Sequence, residues 1–161
     1  MDKHFWLSLL SGVALILLMA CGSSTGNNTS PSTRTRGPVI IATDHSMYHS
    51  TNNIQVTVTN KLLTPIYAFD TRASCSILGL QILVNGTWRY SNAAPCLTGR
   101  HAVLVKIDAG KTHTTTISPG ISGSNQAAFP TGTYRLVLIY VIGASNGTSM
   151  TIYSESFEVT R

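Results

Sequence analysis

From Val39 onward the chain alternates short apolar runs with turn-forming residues, and no segment repeats apolar residues at i, i+3, i+4 and i+7 over three turns. Val39-Ile40-Ile41-Ala42 reads as a first strand, with Tyr48 in its continuation. Ile54 to Asn60 alternates cleanly, so Ile54, Val56 and Val58 face inward and the threonines outward. Pro65 to Phe69 and Leu78 to Val84 follow. Asn85-Gly86 then separates Leu78–Val84 from Thr87-Trp88-Arg89-Tyr90, and Asn-Gly between two β-prone runs predicts a type I′ hairpin. Residues 91–101 read as a loop. Ala102 to Ile107 and Thr112 to Ile117 flank a turn at Asp108-Ala109-Gly110-Lys111, and residues 118–131 form a second long loop. Tyr134 to Ile142 is the most apolar strand after the N-terminal segment. Its inner face carries Tyr134, Leu136, Leu138 and Tyr140. Val137, Ile139 and Val141 occupy the other face, with Arg135 at the edge. A turn at 143–147 leads into Met150–Tyr153 and Phe157–Val159.

Short strands with turns every 8–12 residues and no helix predict an all-β fold, an antiparallel sandwich of seven to nine strands. The strand Tyr134–Ile142 is expected at its centre, next to the strands that follow it. Tyr134 opens that strand just after Gly132. Its hydroxyl is placed either to bond back to the preceding loop, as in a tyrosine corner, or as an ordinary half-buried strand tyrosine.

The N-terminal segment has a different pattern. Lys3 and His4 precede the apolar run Leu7–Leu18, and small residues lead to Cys21. A positive start, a short apolar core and a small residue at the cut are the marks of a secretory signal peptide. The run is about 12 residues, short of the roughly 20 that span a bilayer as a helix. Leu18-Met19-Ala20-Cys21 resembles the bacterial lipobox, which implies loss of residues 1–20 and acylation of Cys21 by palmitate-type chains. Residues 22–37 are Ser, Thr, Asn, Gly and Pro with two arginines. That composition predicts a flexible tether reaching at most about 50 Å. The expected organisation is a signal peptide over 1–20, the lipidated cysteine and tether over 21–37, and one sandwich domain over 38–161. The expected location is the extracytoplasmic face of the cell membrane.

Charged residues make up 11% of the chain and the net charge is +5, without a basic run or a basic-aromatic patch. Nucleic-acid binding therefore has no support beyond the basic balance, and a mild attraction to anionic lipids or wall polymers is the most that charge implies. With Cys21 assigned to lipid, Cys75 and Cys96 remain, and two cysteines in an exported domain most simply pair.

Chemistry of other kinds has little to stand on. Asp44, His45 and His49 are close in sequence, but metal spacing of that kind suits a helix and this stretch reads as strand and turn. Gly120-Ile121-Ser122-Gly123 lacks the strand-turn-helix setting of a nucleophile elbow. The carboxylates after Cys21, at 44, 70, 108, 155 and 158, form no evident pair. No enzyme, cofactor or metal is expected. Trp88 and Tyr90 are the candidate ligand contacts, able to stack on a sugar, although a strand Trp beside a tight turn is more often core packing.

The order of several short motifs resembles bacterial immunoglobulin-like domains of exported lipoproteins. These are Tyr48 before a strand ending at Asn60, Tyr67-Ala68-Phe69, Gly86-Thr87-Trp88, the turn at 108–111, Phe129-Pro130-Thr131-Gly132-Thr133-Tyr134-Arg135-Leu136, and the closing stretch Tyr153–Val159. The resemblance spans residues 39–160. It implies an immunoglobulin-like β-sandwich and a non-enzymatic, monomeric module at the cell surface that binds a protein or glycan of the envelope or plays a structural part. The second function implied is inhibition of extracellular proteases, for which the loop 91–101 is the candidate contact. Cysteines 75 and 96 bracket the Trp88 hairpin, unlike the antibody pattern, so no antibody-type role follows.

Overall fold

A computed structural model describes residues 37–70, 76–93, 103–120, 128–144 and 146–161. Eleven strands run in chain order as β1 (Val39–Thr43), β2 (Met47–His49), β3 (Ile54–Asn60), β4 (Ile66–Asp70), β5 (Leu78–Val84), β6 (Thr87–Tyr90), β7 (Val103–Ile107), β8 (Thr112–Ile117), β9 (Gly132–Ile142), β10 (Ser149–Tyr153) and β11 (Phe157–Thr160). They form two packed sheets, a β-sandwich. The smaller has the order β1-β3-β8. The larger is built on β9, which pairs with β10 and β11 along one side and with β4 and β5 along the other; β2 extends β11, and β6 and β7 extend β5 and β4.

The eleven segments act as eight strands, because three of them are interrupted. β4 lies against Ile142–Tyr140 of β9 and β5 against Leu138–Tyr134, so the two continue one another. β6 and β7 do the same one strand further out. β10 and β11 are separated at Ser154–Ser156, where Ser154 Oγ accepts from the amide of Leu136 and the Ser154 amide donates to the Leu136 carbonyl. Among the described residues, β4 with β7 and β5 with β6 thus stand as two levels of one hairpin arrangement against β9. Cys75 and Cys96 lie outside the described residues, as do Cys21 and the segment before residue 37. The hairpin tip carries Asn85 at φ 48° and Gly86 at φ 76°, the left-handed pair that a type I′ turn requires.

Two expectations change. Tyr48 does not continue the first strand. The chain crosses between sheets at Asp44–Ser46, and β2 pairs in parallel with β11 on the larger sheet. This is the one parallel pair among the described strands. The crossing is fixed by Asp44, whose carboxylate accepts from the Tyr48 hydroxyl at 2.6 Å and from the Gln55 amide at 3.1 Å. Arg135, in turn, is not at a strand edge. It lies on the outer face of β9, the most central strand of the larger sheet, opposite Gln81 of β5.

Alternation decides which side chains fill the space between the sheets. Ile54, Val56 and Val58 meet Leu136, Leu138, Leu78, Ile66 and Ile107 there, all buried. Aromatic rings close one end. Tyr134 stacks on Phe157 at 5.9 Å between centroids, and Tyr48 and Phe129 meet the pair edge-on. The Tyr134 hydroxyl donates to the Pro130 carbonyl at 2.7 Å, four residues upstream, which is the tyrosine corner.

Burial pushes the Tyr134 hydroxyl up to about 12, and burial together with the Asp44 carboxylate raises Tyr48 further. Both rings hold their protons in the folded state at pH values where the unfolded chain, near 10, has lost them. Their contribution is complete below pH 10 and is lost as pH rises toward 12 and beyond. Urea denaturation at stepwise alkaline pH is expected to show a steep fall above pH 10. Tyr134→Phe should flatten that fall while lowering stability at pH 7 by about 1 kcal/mol. An unchanged alkaline slope in the variant would contradict this assignment.

Candidate functional site

The outer face of the larger sheet is apolar where a solvated face would be polar. β9 turns Val137, Ile139 and Val141 outward, with Ile139 52% exposed. Beside it β4 presents Phe69, β6 presents Tyr90 at 64% exposure, and β10 presents Tyr153. A groove of about 280 Å³ runs between Phe69, Tyr90, Val137 and Ile139, with Ile77, Leu78 and Gly79 in its floor. Gly79 keeps the floor open. A Cβ there would stand 2.8 Å from both Tyr90 Cε1 and Val137 Cγ1, so any side chain would displace the Tyr90 ring.

Trp88 and Tyr90, named from the sequence, both face outward on β6, across from Leu83 and Gln81. The structure overturns the core assignment of Trp88. Its indole is half-buried on the outer face and covers Arg135, not the interior. The guanidinium carbon of Arg135 lies 4.4 Å from the Trp88 ring centroid and 3.9 Å from that of Tyr153, so the cation is held between two aromatic faces. Arg135 Nε donates to Gln81 Oε1 at 2.8 Å. Among the described residues no carboxylate forms an ion pair with Arg135. A positively charged, planar donor set beside an aromatic groove suits a flat ligand carrying hydroxyl or anionic oxygens.

The sequence missed Phe69, Gly79, Arg135 and Tyr153 as parts of this surface. One signal was available: Val137, Ile139 and Val141 make β9 apolar on both faces, and a strand needs only one face for the core.

The other candidates do not converge. Asp44 is committed to Tyr48 and Gln55 and lies 3.4 Å from His45, whereas His49 Nδ1 contacts Thr51 Oγ1 at 2.9 Å. No cluster of three metal-ligating side chains occurs among the described residues. From residue 94 onward the loop 91–101 lies outside the described residues, as does the Ser122 segment. Comparison with family models and with curated proteins returns no match for the chain.

Proposed function

We propose that this chain is a non-enzymatic lipoprotein of the extracytoplasmic membrane face, anchored through Cys21, whose sandwich domain binds an envelope glycan on the outer face of its larger sheet. The observation that carries the binding site is the group of exposed rings at Phe69, Tyr90 and Tyr153 beside the half-buried Trp88, with Arg135 held between Trp88 and Tyr153. Pyranose rings present apolar C–H faces that stack on aromatic side chains, while Arg135 and Gln81 supply polar contacts to their hydroxyl or carboxylate substituents. The cation is oriented before any ligand arrives, so little side-chain entropy is lost on binding. The lipobox and the polar tract behind it support the anchor.

The test is titration of the soluble domain 37–161 with fragments of the producing cell's envelope glycans, followed by calorimetry. Tyr90→Ala and Trp88→Ala are each expected to weaken binding about tenfold, roughly 1.4 kcal/mol. Glycans that bind neither the wild-type domain nor the variants would sink the reading. Mass spectrometry of the membrane fraction tests the anchor; an unmodified Cys21 in a secreted chain removes it.

The same proposal carries a Cys75–Cys96 bond, since two cysteines in an exported domain most simply pair. Cys96→Ala is expected to lower stability by about 2–4 kcal/mol under oxidising conditions. An equal midpoint for wild type and variant without reductant would show that the two thiols are free.

A further inference from the structure

The end of the sandwich opposite the hairpin tip is where β1 begins, β3 ends, β4 begins and β7 ends. One buried side chain knits it together. Asn60 Nδ2 donates to the carbonyls of Thr64, Ile107 and Asp108 at 2.9, 3.0 and 3.1 Å, and Asn60 Oδ1 accepts from the Leu62 amide at 3.0 Å. Backbone bonds add Lys61 N to the Pro38 carbonyl, Asn60 N to the Lys111 carbonyl and Gly143 N to the Pro65 carbonyl. The loop 61–65, the turn 108–111 and the chain's entry point at Pro38 thus form one rigid platform.

Its surface is unusual in two respects. Leu63 projects from the loop with 96% of its surface exposed, whereas its neighbour Leu62 packs against the core. Every lysine after residue 3 stands at this end: Lys61, Lys106 and Lys111. Asp108 is the one carboxylate beside them among the described residues, and Lys106 pairs with it at 2.7 Å. Lys61 and Lys111 are exposed.

We propose that this platform rests on an anionic phospholipid bilayer, with Leu63 inserted at the headgroup–acyl boundary and Lys61 and Lys111 over the lipid phosphates. The inference rests on the lipid anchor proposed above. Residues 22–37 join the platform at Pro38, and a coil of that length has a root-mean-square span of roughly 20–25 Å. This is shorter than the domain itself, since the eleven residues of β9 alone extend about 37 Å. At its average span the tether therefore keeps the platform nearer the membrane than the hairpin tip, at an effective concentration in the millimolar range. At that concentration a single apolar side chain and two cations suffice, each lysine near an anionic surface strengthening the contact about fivefold.

The experiment uses the full acylated chain in vesicles of phosphatidylcholine and phosphatidylglycerol with brominated acyl chains. Leu63→Trp introduces a reporter at the platform, and Asn53→Trp places one at the opposite end. The native Trp88 signal is the baseline. The Leu63→Trp increment is expected to lose at least about half its intensity, and the Asn53→Trp increment none. Adding Lys61→Glu and Lys111→Glu should reduce the quenching at least about twofold, as should high salt. If acylated protein floats with the vesicles and the Leu63→Trp increment stays unquenched, the platform proposal fails and the anchor stands. If Cys21 carries no acyl chain and the protein does not float, both fail.

Discussion

Replacing Asn60 by leucine is expected to lower the stability of the domain by about 3–5 kcal/mol, although leucine is apolar, similar in size and placed in a buried site. Asn60 is fully buried at the end of β3. Its amide serves three carbonyls from two different connections, and its carbonyl serves the Leu62 amide. Two N–H groups cannot give each of three acceptors a separate bond, so one is shared. Leucine removes every one of these partners at once. Each buried group left unpaired costs about 1–3 kcal/mol, discounted here because Thr64, Asp108 and Leu62 retain some access to water. The thermal midpoint should fall by roughly 10–20 °C. Asn60→Asp tests the reason behind the number. It keeps the shape but turns acceptor oxygens toward three acceptors, and it should be at least as damaging at neutral pH. If Asn60→Leu shifts the urea midpoint by less than the equivalent of about 1 kcal/mol, the hydrogen-bonded platform does not hold this end of the sandwich together.

The second large effect is expected on β9. Leu138 is fully buried between Leu78 of β5 and Ile152 of β10, its cross-strand neighbours. Leu138→Ala should cost about 2–5 kcal/mol, through lost burial and the cavity left behind. Ile139, the next residue, points to the opposite face and is half exposed. Ile139→Ala should change stability by no more than about 0.5 kcal/mol and weaken ligand binding instead. Adjacent residues with reversed roles test the register directly, because a one-residue slip exchanges the two faces. Loss of stability in Ile139→Ala with an unchanged Leu138→Ala would invert the sheet. Arg135→Ala falls between these extremes, at about 1 kcal/mol, because its removal unstacks Trp88 and Tyr153.

The strands were legible in the sequence because alternation is a local signal. Ile54, Val56 and Val58 declare their face within seven residues, and Asn85-Gly86 declares its turn within two. The tyrosine corner was legible as one of two readings for Tyr134. Sheet membership was not legible. Tyr48 sits nine residues after Val39 with nothing local to mark the crossing, because the Asp44 carboxylate that fixes it bonds to Gln55 eleven residues away. Trp88 was legible as either a ligand contact or core packing, with core packing favoured. Its partner Arg135 is 47 positions distant, and only the pairing of β5 with both β6 and β9 brings them together. That β4 and β5 continue one another was not legible for the same reason: their collinearity is defined by β9, which lies much later in the chain.

The register of β1 on β3 has a mechanical consequence. Val39 pairs with Asn60 and Thr43 with Val56, so β1 lies along β3 with its first residue at the end where Pro38 joins. A pull applied at Pro38, away from the domain, acts along the axis of β1. It drags that strand lengthwise past its neighbour instead of lifting it off one bond at a time. The five residue pairs of that register bear the load together, and they part only when all slip at once. Beyond Thr43 the chain crosses to the other sheet, where β2 is held in parallel against β11, and the same pull must shear that pairing too. Resistance to such a force is governed by the unfolding barrier, not by equilibrium stability. A domain held at Pro38 and gripped by a ligand on its outer face would carry such a load through the β1–β3 and β2–β11 pairings.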